Sequence, residues 1–111
     1  MTDIKAEPGV RERIAAAEIV ARWLSRGLYP ERLVRAEENV SRFLTELVAG
    51  TVRWRRTLEW ITGRYLRRRP SRALQACLMT GVYQMFFMDS VPDYAAVSTV
   101  TAAARHFAGE G

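Results

Sequence analysis

The sixteen residues from Ala73 to Met88 carry no charged side chain. Leu74, Cys77, Leu78, Val82, Tyr83, Met85, Phe86, Phe87 and Met88 cover almost every side of the helix this stretch would form. A helix that is apolar all round belongs inside a fold. Gln75, Thr80 and Gln84 break the run, which stays short of the ~18 uninterrupted apolar residues of a membrane span. With 111 residues, 49% of them apolar, the chain can build one core around this segment but not two. The N-terminus lacks the charged-then-apolar order of a signal peptide, so a soluble cytoplasmic protein is expected. The single cysteine, Cys77, excludes an internal disulfide and a cysteine-built zinc site.

The remaining segments read as helices too. Ile14, Ala17, Ala21, Leu24 and Leu28 recur at spacings of three and four, predicting a first helix from about Val10 to Arg26 that stops at Gly27. Residues 1–9 read as a frayed lead-in and Leu28 to Arg32 as a connection. From about Val34 a second pattern begins. Val40, Phe43, Leu44, Leu47, Val48, Thr51 and Val52 form its apolar stripe, and Glu31–Arg35 and Glu38–Arg42 are spaced for exposed helical ion pairs. A break is expected near Gly50–Arg53, then a helix from about Arg55 to Arg68 ended by Pro70. After the apolar helix, Ser90 or Asp93 can cap a last helix with Pro92 in its first turn, reaching about Phe107 and leaving 109–111 as a tail. No segment alternates with period two over more than a few residues. The fold class is all-α, a bundle of about five helices over residues 10–108.

The net charge of +5 is concentrated in one place. Residues 1–52 hold eight basic and eight acidic side chains, whereas residues 53–72 hold eight arginines against the single Glu59. Arginine makes bidentate phosphate contacts and stacks on bases. On one continuous helix, Arg53, Arg56, Trp60, Arg64 and Arg67 would share a face, with Trp54, Leu58, Ile61 and Tyr65 on another side that can meet the core. Arg68, Arg69 and Arg72 carry the charge into the following turn. Such a stripe suits nucleic acid, because each neutralised phosphate releases counterions and an exposed ring can accept an unpaired base. The equally weighted alternative is a solvated face, paired with the acids of residues 31–46 or with a partner protein.

Four segments in order carry a family resemblance. Phe43-Leu44-Thr45-Glu46-Leu47-Val48-Ala49-Gly50-Thr51-Val52-Arg53 is similar to a pattern "F…LV.GTLR", and Trp54-Arg55-Arg56-Thr57-Leu58-Glu59-Trp60 follows like "..R..LD..". Ala73-Leu74 leading to Gly81-Val82-Tyr83-Gln84-Met85 is similar to "AL…LR.G.YQL", and Val91-Pro92-Asp93-Tyr94-Ala95-Ala96-Val97 to "VP.HAAV". Together they resemble the NusB superfamily over roughly residues 10–107, and within it the NusB-like N-terminal domain of ribosomal RNA small-subunit methyltransferase B. The resemblance implies a helical bundle that handles RNA. One role it implies is transcription antitermination beside a ribosomal protein. The other is that of a non-catalytic appendage to an S-adenosylmethionine-dependent rRNA cytosine-C5 methylating domain. Arg11 and Arg13 stand where the family has an arginine-rich start to its first helix. The family's final helix, resembling "FVNGVLR", has no counterpart before Gly111, and a second copy of the chain is one candidate to cover the apolar groove this would leave.

The site residues expected to contact RNA, and rRNA in particular, are Arg53, Arg55, Arg56, Trp60, Arg64, Arg67, Arg68, Arg69 and Arg72. No catalytic residue, metal ligand or cofactor is expected. His106 is the lone histidine, Cys77 reads as core filler, and Glu59, Asp89 and Asp93 form no pair at a convincing spacing. The rival function is a protein-interaction module that recruits a methyltransferase domain, a ribosomal protein or a second copy.

Overall fold

Helices follow the three-four spacing of apolar residues over most of the chain, with departures at residues 30–35 and 64–68. A computed structural model describes residues 8–38 and 40–109. Among them are six helices and no strand: α1 (Pro8–Arg26), α2 (Pro30–Arg35), α3 (Arg42–Arg53), α4 (Arg55–Gly63), α5 (Arg72–Phe87) and α6 (Asp93–Gly109). The all-α expectation holds. Residues 1–7 of the expected lead-in and 110–111 of the expected tail lie outside the described residues, while Pro8, Gly9 and Gly109 are helical.

α1 begins on Pro8, whose missing N–H costs nothing in a first turn. It ends where Gly27 turns to φ 70°, with the Gly27 amide donating to the Trp23 carbonyl at 2.9 Å. α2 is a helix where a connection was expected. Pro30 starts it instead of interrupting it, and the helix closes after Arg35. The pattern from Val34 is therefore two elements. Val40 lies outside α3 and is half exposed. α3 starts at Ser41, whose side-chain oxygen accepts from the Leu44 amide at 3.0 Å while its hydroxyl donates to Glu12 of α1. Leu44, Leu47, Val48 and Thr51 then face inward. Among the described residues neither Glu31–Arg35 nor Glu38–Arg42 forms an ion pair, the latter because Glu38 lies before the start of α3.

The break between α3 and α4 is one residue, Trp54, at φ −99°, ψ 24°. α4 ends at Gly63 instead of about Arg68. Beyond Thr62 no residue of this segment is buried, and Tyr65 is 81% exposed, so no packing supports further turns after a residue of poor helix propensity. Tighter bonds close the end, Arg64 to the Ile61 carbonyl and Tyr65 to the Thr62 carbonyl. α5 starts on Ser71, which accepts from the Leu74 amide at 3.2 Å. At the start of α6 the Pro92 carbonyl accepts from the Ala95 and Ala96 amides, and no side-chain cap bond from Ser90 or Asp93 is found among the described residues.

α5 is central, touching α1, α3, α4 and α6, and its most extensive contact is with α1. Ala76, Cys77, Met79, Thr80, Gly81, Tyr83 and Gln84 are buried. Its last turn is not, since Met85, Phe86 and Phe87 are exposed, contrary to the expectation of burial on every side. Two features hold the neighbours close. At Gly50 of α3 a Cβ would come within 2.0 Å of the Tyr83 ring, so only a glycine lets this tyrosine lie against α3. Inside the α1–α5 contact sits Arg13, 8% exposed, whose Nε donates to Gln84 Oε1 at 3.0 Å and whose Nη1 donates to the Gly9 carbonyl at 3.1 Å. Its guanidinium lies 4.4 Å from the Phe43 ring centroid, and burial pushes its pKa down.

Two outcomes are expected. Gly50→Ala overpacks the Tyr83 contact and should cost about 1–3 kcal/mol in urea unfolding. The loss should shrink when Tyr83 is shortened to leucine in the same chain, and an unchanged unfolding midpoint for the single variant would remove the close approach as a constraint. Cys77 is 1% exposed and its thiol is pushed up to about 12 by burial, so a thiol reagent at pH 8 should leave it unmodified until urea unfolds the chain.

Candidate nucleic-acid interface

Leu58 determines where the arginine block points. It is fully buried, and with Thr62 it seats α4 on α5. Trp60 lies two residues from each, on the opposite side of α4, and is 64% exposed. Arg53 ends α3, Arg55 and Arg56 open α4, Arg64, Arg67, Arg68 and Arg69 follow its end, and Arg72 opens α5. All eight arginines are exposed.

The shape differs from the one expected. The arginines do not form a stripe on a single helix: Arg53 belongs to the preceding helix, and Arg64 and Arg67 lie past Gly63 in the connection to α5. They lie around the two connections of this corner, the single residue Trp54 between α3 and α4 and residues 64–71 between α4 and α5. Trp54 and Tyr65, expected to face the core, are 40% and 81% exposed. Trp54 instead stacks on Phe87 with centroids 4.8 Å apart, and Phe87 stacks in turn on the buried Tyr83 at 5.2 Å.

Electrostatically the corner is unbalanced. The single carboxylate within it, Glu59, takes Arg55 at 3.2 Å and accepts from Gln75 Nε2 at 3.4 Å. Arg72 donates to Gln75 Oε1 at 2.9 Å. This polar chain runs across α5, α4 and onto α1, where the Arg55 guanidinium lies 5.1 Å from the Trp23 ring centroid. None of the other seven guanidiniums forms an ion pair among the described residues. Arg64 sits 4.8 Å from the centroid of the exposed Trp60, so cation and ring present themselves together. Reading the sequence missed Trp23 as a neighbour of the block, and no local signal points to it, because α1 and α4 meet only through the fold. The Arg55–Glu59 pair, a base and an acid four residues apart, was not among the ion pairs expected, although its spacing could have found it.

Arg13 lies in the core, and of the two arginines at the start of α1 Arg11 alone is exposed. His106 packs edge-on against Phe107 at 5.2 Å. Among the described residues no three of His, Cys, Asp and Glu stand close enough together to hold a metal ion, and no helix is long and apolar enough to cross a membrane.

Against known proteins, a model described as the NusB family matches residues 10–111. No curated protein matches the chain.

Core and corner arginines should separate cleanly in urea unfolding. Arg13→Ala leaves Gln84 Oε1 without its donor in the interior and should cost about 1–3 kcal/mol. Alanine at Arg67, Arg68 and Arg69 should change stability by no more than about 0.5 kcal/mol each. Equal effects at both places would contradict the burial of Arg13 and the exposure of the other three.

Proposed function

Because the chain belongs to the NusB family, we propose that it is a non-catalytic RNA-binding domain whose α3–α4–α5 corner holds ribosomal RNA. The observation that carries this is the set of seven exposed guanidiniums without an ion pair, among the described residues, around the exposed Trp60. Arg53, Arg56, Arg64, Arg67, Arg68, Arg69 and Arg72 meet phosphates, and counterion release supplies most of the affinity. Arg55 is held by Glu59 and contributes a fixed charge next to Trp23. Trp60, already paired on one side with Arg64, offers its ring to an unpaired base. The process served is rRNA maturation, with the domain acting as the leading, non-catalytic part of an rRNA cytosine-C5 methyltransferase. The similarity of the segments around Gly50, Gly81 and Pro92 to that group supports this reading over antitermination. The chemistry of methyl transfer, with its cofactor, belongs to the catalytic domain, and this domain supplies affinity and placement.

A second reading, recruitment of a protein, is favoured by one feature. Trp54, Met85, Phe86 and Phe87 expose apolar surface at and beside the end of α5, and the fold itself covers none of them fully. Pull-down from nuclease-treated lysate separates the two, because a protein held there survives the nuclease and an RNA-bridged one does not.

Replacing Arg56, Arg64 and Arg68 with glutamate should weaken binding to rRNA fragments of any sequence. It should also flatten the dependence of log K on log salt by about 0.7 for each single-strand phosphate that is no longer neutralised. Trp60→Ala should cost about 1–3 kcal/mol on unpaired RNA and much less on a perfect duplex. If the triple charge reversal bound rRNA fragments as tightly as the parent chain, the assignment of the corner to RNA would be wrong.

A further inference from the structure

α2 is only six residues long and cannot cover the full side of the twelve-residue α3 beside it. The uncovered part is a groove of about 510 Å³, within the ~300–1,000 Å³ of ordinary ligand clefts. Pro30, Val34, Val40, Val48, Ala49 and Val52 line it. Val40 leaves 49% of its surface to solvent here, and Ala49 is exposed as well. Arg35 and Arg53 complete the lining together with Glu31 and Thr45, and neither arginine forms an ion pair among the described residues. Two guanidiniums therefore oppose one carboxylate across an aliphatic floor, and Arg53 is also the first residue of the arginine block.

We propose that this groove docks an amphipathic helix of a partner protein, with aliphatic side chains on the valines and carboxylates facing Arg35 and Arg53. Three features select that occupant. The valine and alanine floor favours aliphatic side chains, and a phosphate backbone would be desolvated against it without hydrogen bonds in return. Apart from Val40, which precedes α3, the lining residues belong to the helices α2 and α3, so an added strand would find no sheet edge, whereas a helix brings its own backbone bonds. The charge at the edge of the groove, reinforced by the neighbouring arginines, favours glutamate or aspartate beside the apolar stripe and disfavours lysine. The proposal does not rest on RNA binding at the corner.

The test uses the whole chain and a fluorescent helical peptide of about 14 residues, with leucines at i, i+3, i+4 and i+7 flanked by glutamates, against its lysine counterpart. The glutamate peptide is expected to bind and the lysine peptide to bind far more weakly. Ala49→Trp fills the groove and should abolish binding, while Arg35→Glu should weaken it several-fold, as exposed ion pairs are individually modest. RNA binding should survive both substitutions, since neither touches Trp60 or the block from Arg55 onward, so loss of one activity is distinguishable from loss of the other. Thermal melting checks that both variants fold, and if Ala49→Trp does not, Val40→Lys replaces it. Equal affinity for the two peptides, or binding indifferent to Ala49→Trp, overturns the proposal. So does uptake of sodium dodecanoate by a groove that ignores the peptide, which would make it a small-amphiphile site. Self-association that Ala49→Trp abolishes, with no peptide binding, overturns it in favour of a second copy.

Discussion

α5 has no charged side chain between Ala73 and Met88, so the aqueous phase rejects it and α1, α3, α4 and α6 assemble around it. The contact with α1 is the most extensive and contains the polar node of the interior. Burying the Arg13 guanidinium is costly, and its two hydrogen bonds and its seat over Phe43 offset that cost only in one geometry. Gln84 is also committed, since its Nε2 donates to the Thr80 carbonyl while its Oε1 accepts from Arg13. The node therefore orients α1 on α5 and leaves neither residue free for a ligand. On the other side of α5, Gly50 lets Tyr83 approach α3, and the stack from Tyr83 through Phe87 to Trp54 leads from the core to the surface at the arginine corner.

The corner follows from how α4 is seated. Leu58 and Thr62 are the buried residues of this nine-residue helix, so its remaining sides face water. Arginines placed there, with Glu59 as the only acid among them, cannot neutralise one another. The acids of residues 31–46 were the candidates to do so, yet none of them forms an ion pair with the block among the described residues. Apart from Glu59 on Arg55, no carboxylate among the described residues pairs with these arginines, so their charge stays available, and Trp60 stays available because Leu58 occupies the opposite side of the helix.

The groove beside α2 and the corner share Arg53 but differ in kind. One is aliphatic with charge at its edge and the other is charged with a ring in its middle. A polyanion is suited to the corner and not to the groove, and an amphipathic helix to the groove and not to the corner.

The sequence alone determined the helical class, the central place of α5, the stop of α1 at Gly27 and the concentration of arginine between residues 53 and 72. These depend on propensity, capping chemistry and solvation, which act locally and can be read along the chain. The break expected near Gly50–Arg53 falls at Trp54 and the next helix starts at Arg55 as expected, whereas α2 and the end of α4 at Gly63 escaped that reading, because short helices persist or stop according to what packs against them. Tyr65 fitted a core position by helical phase and is exposed because the helix had already ended, and Arg13, which stands where the resemblance places a basic start to the first helix, lies inside because Gln84 and Phe43 meet it there. Which arginines share a surface, and that Trp23 of α1 belongs beside them, was decided only when distant segments came together, since sequence spacing contains no distance between helices that are not neighbours.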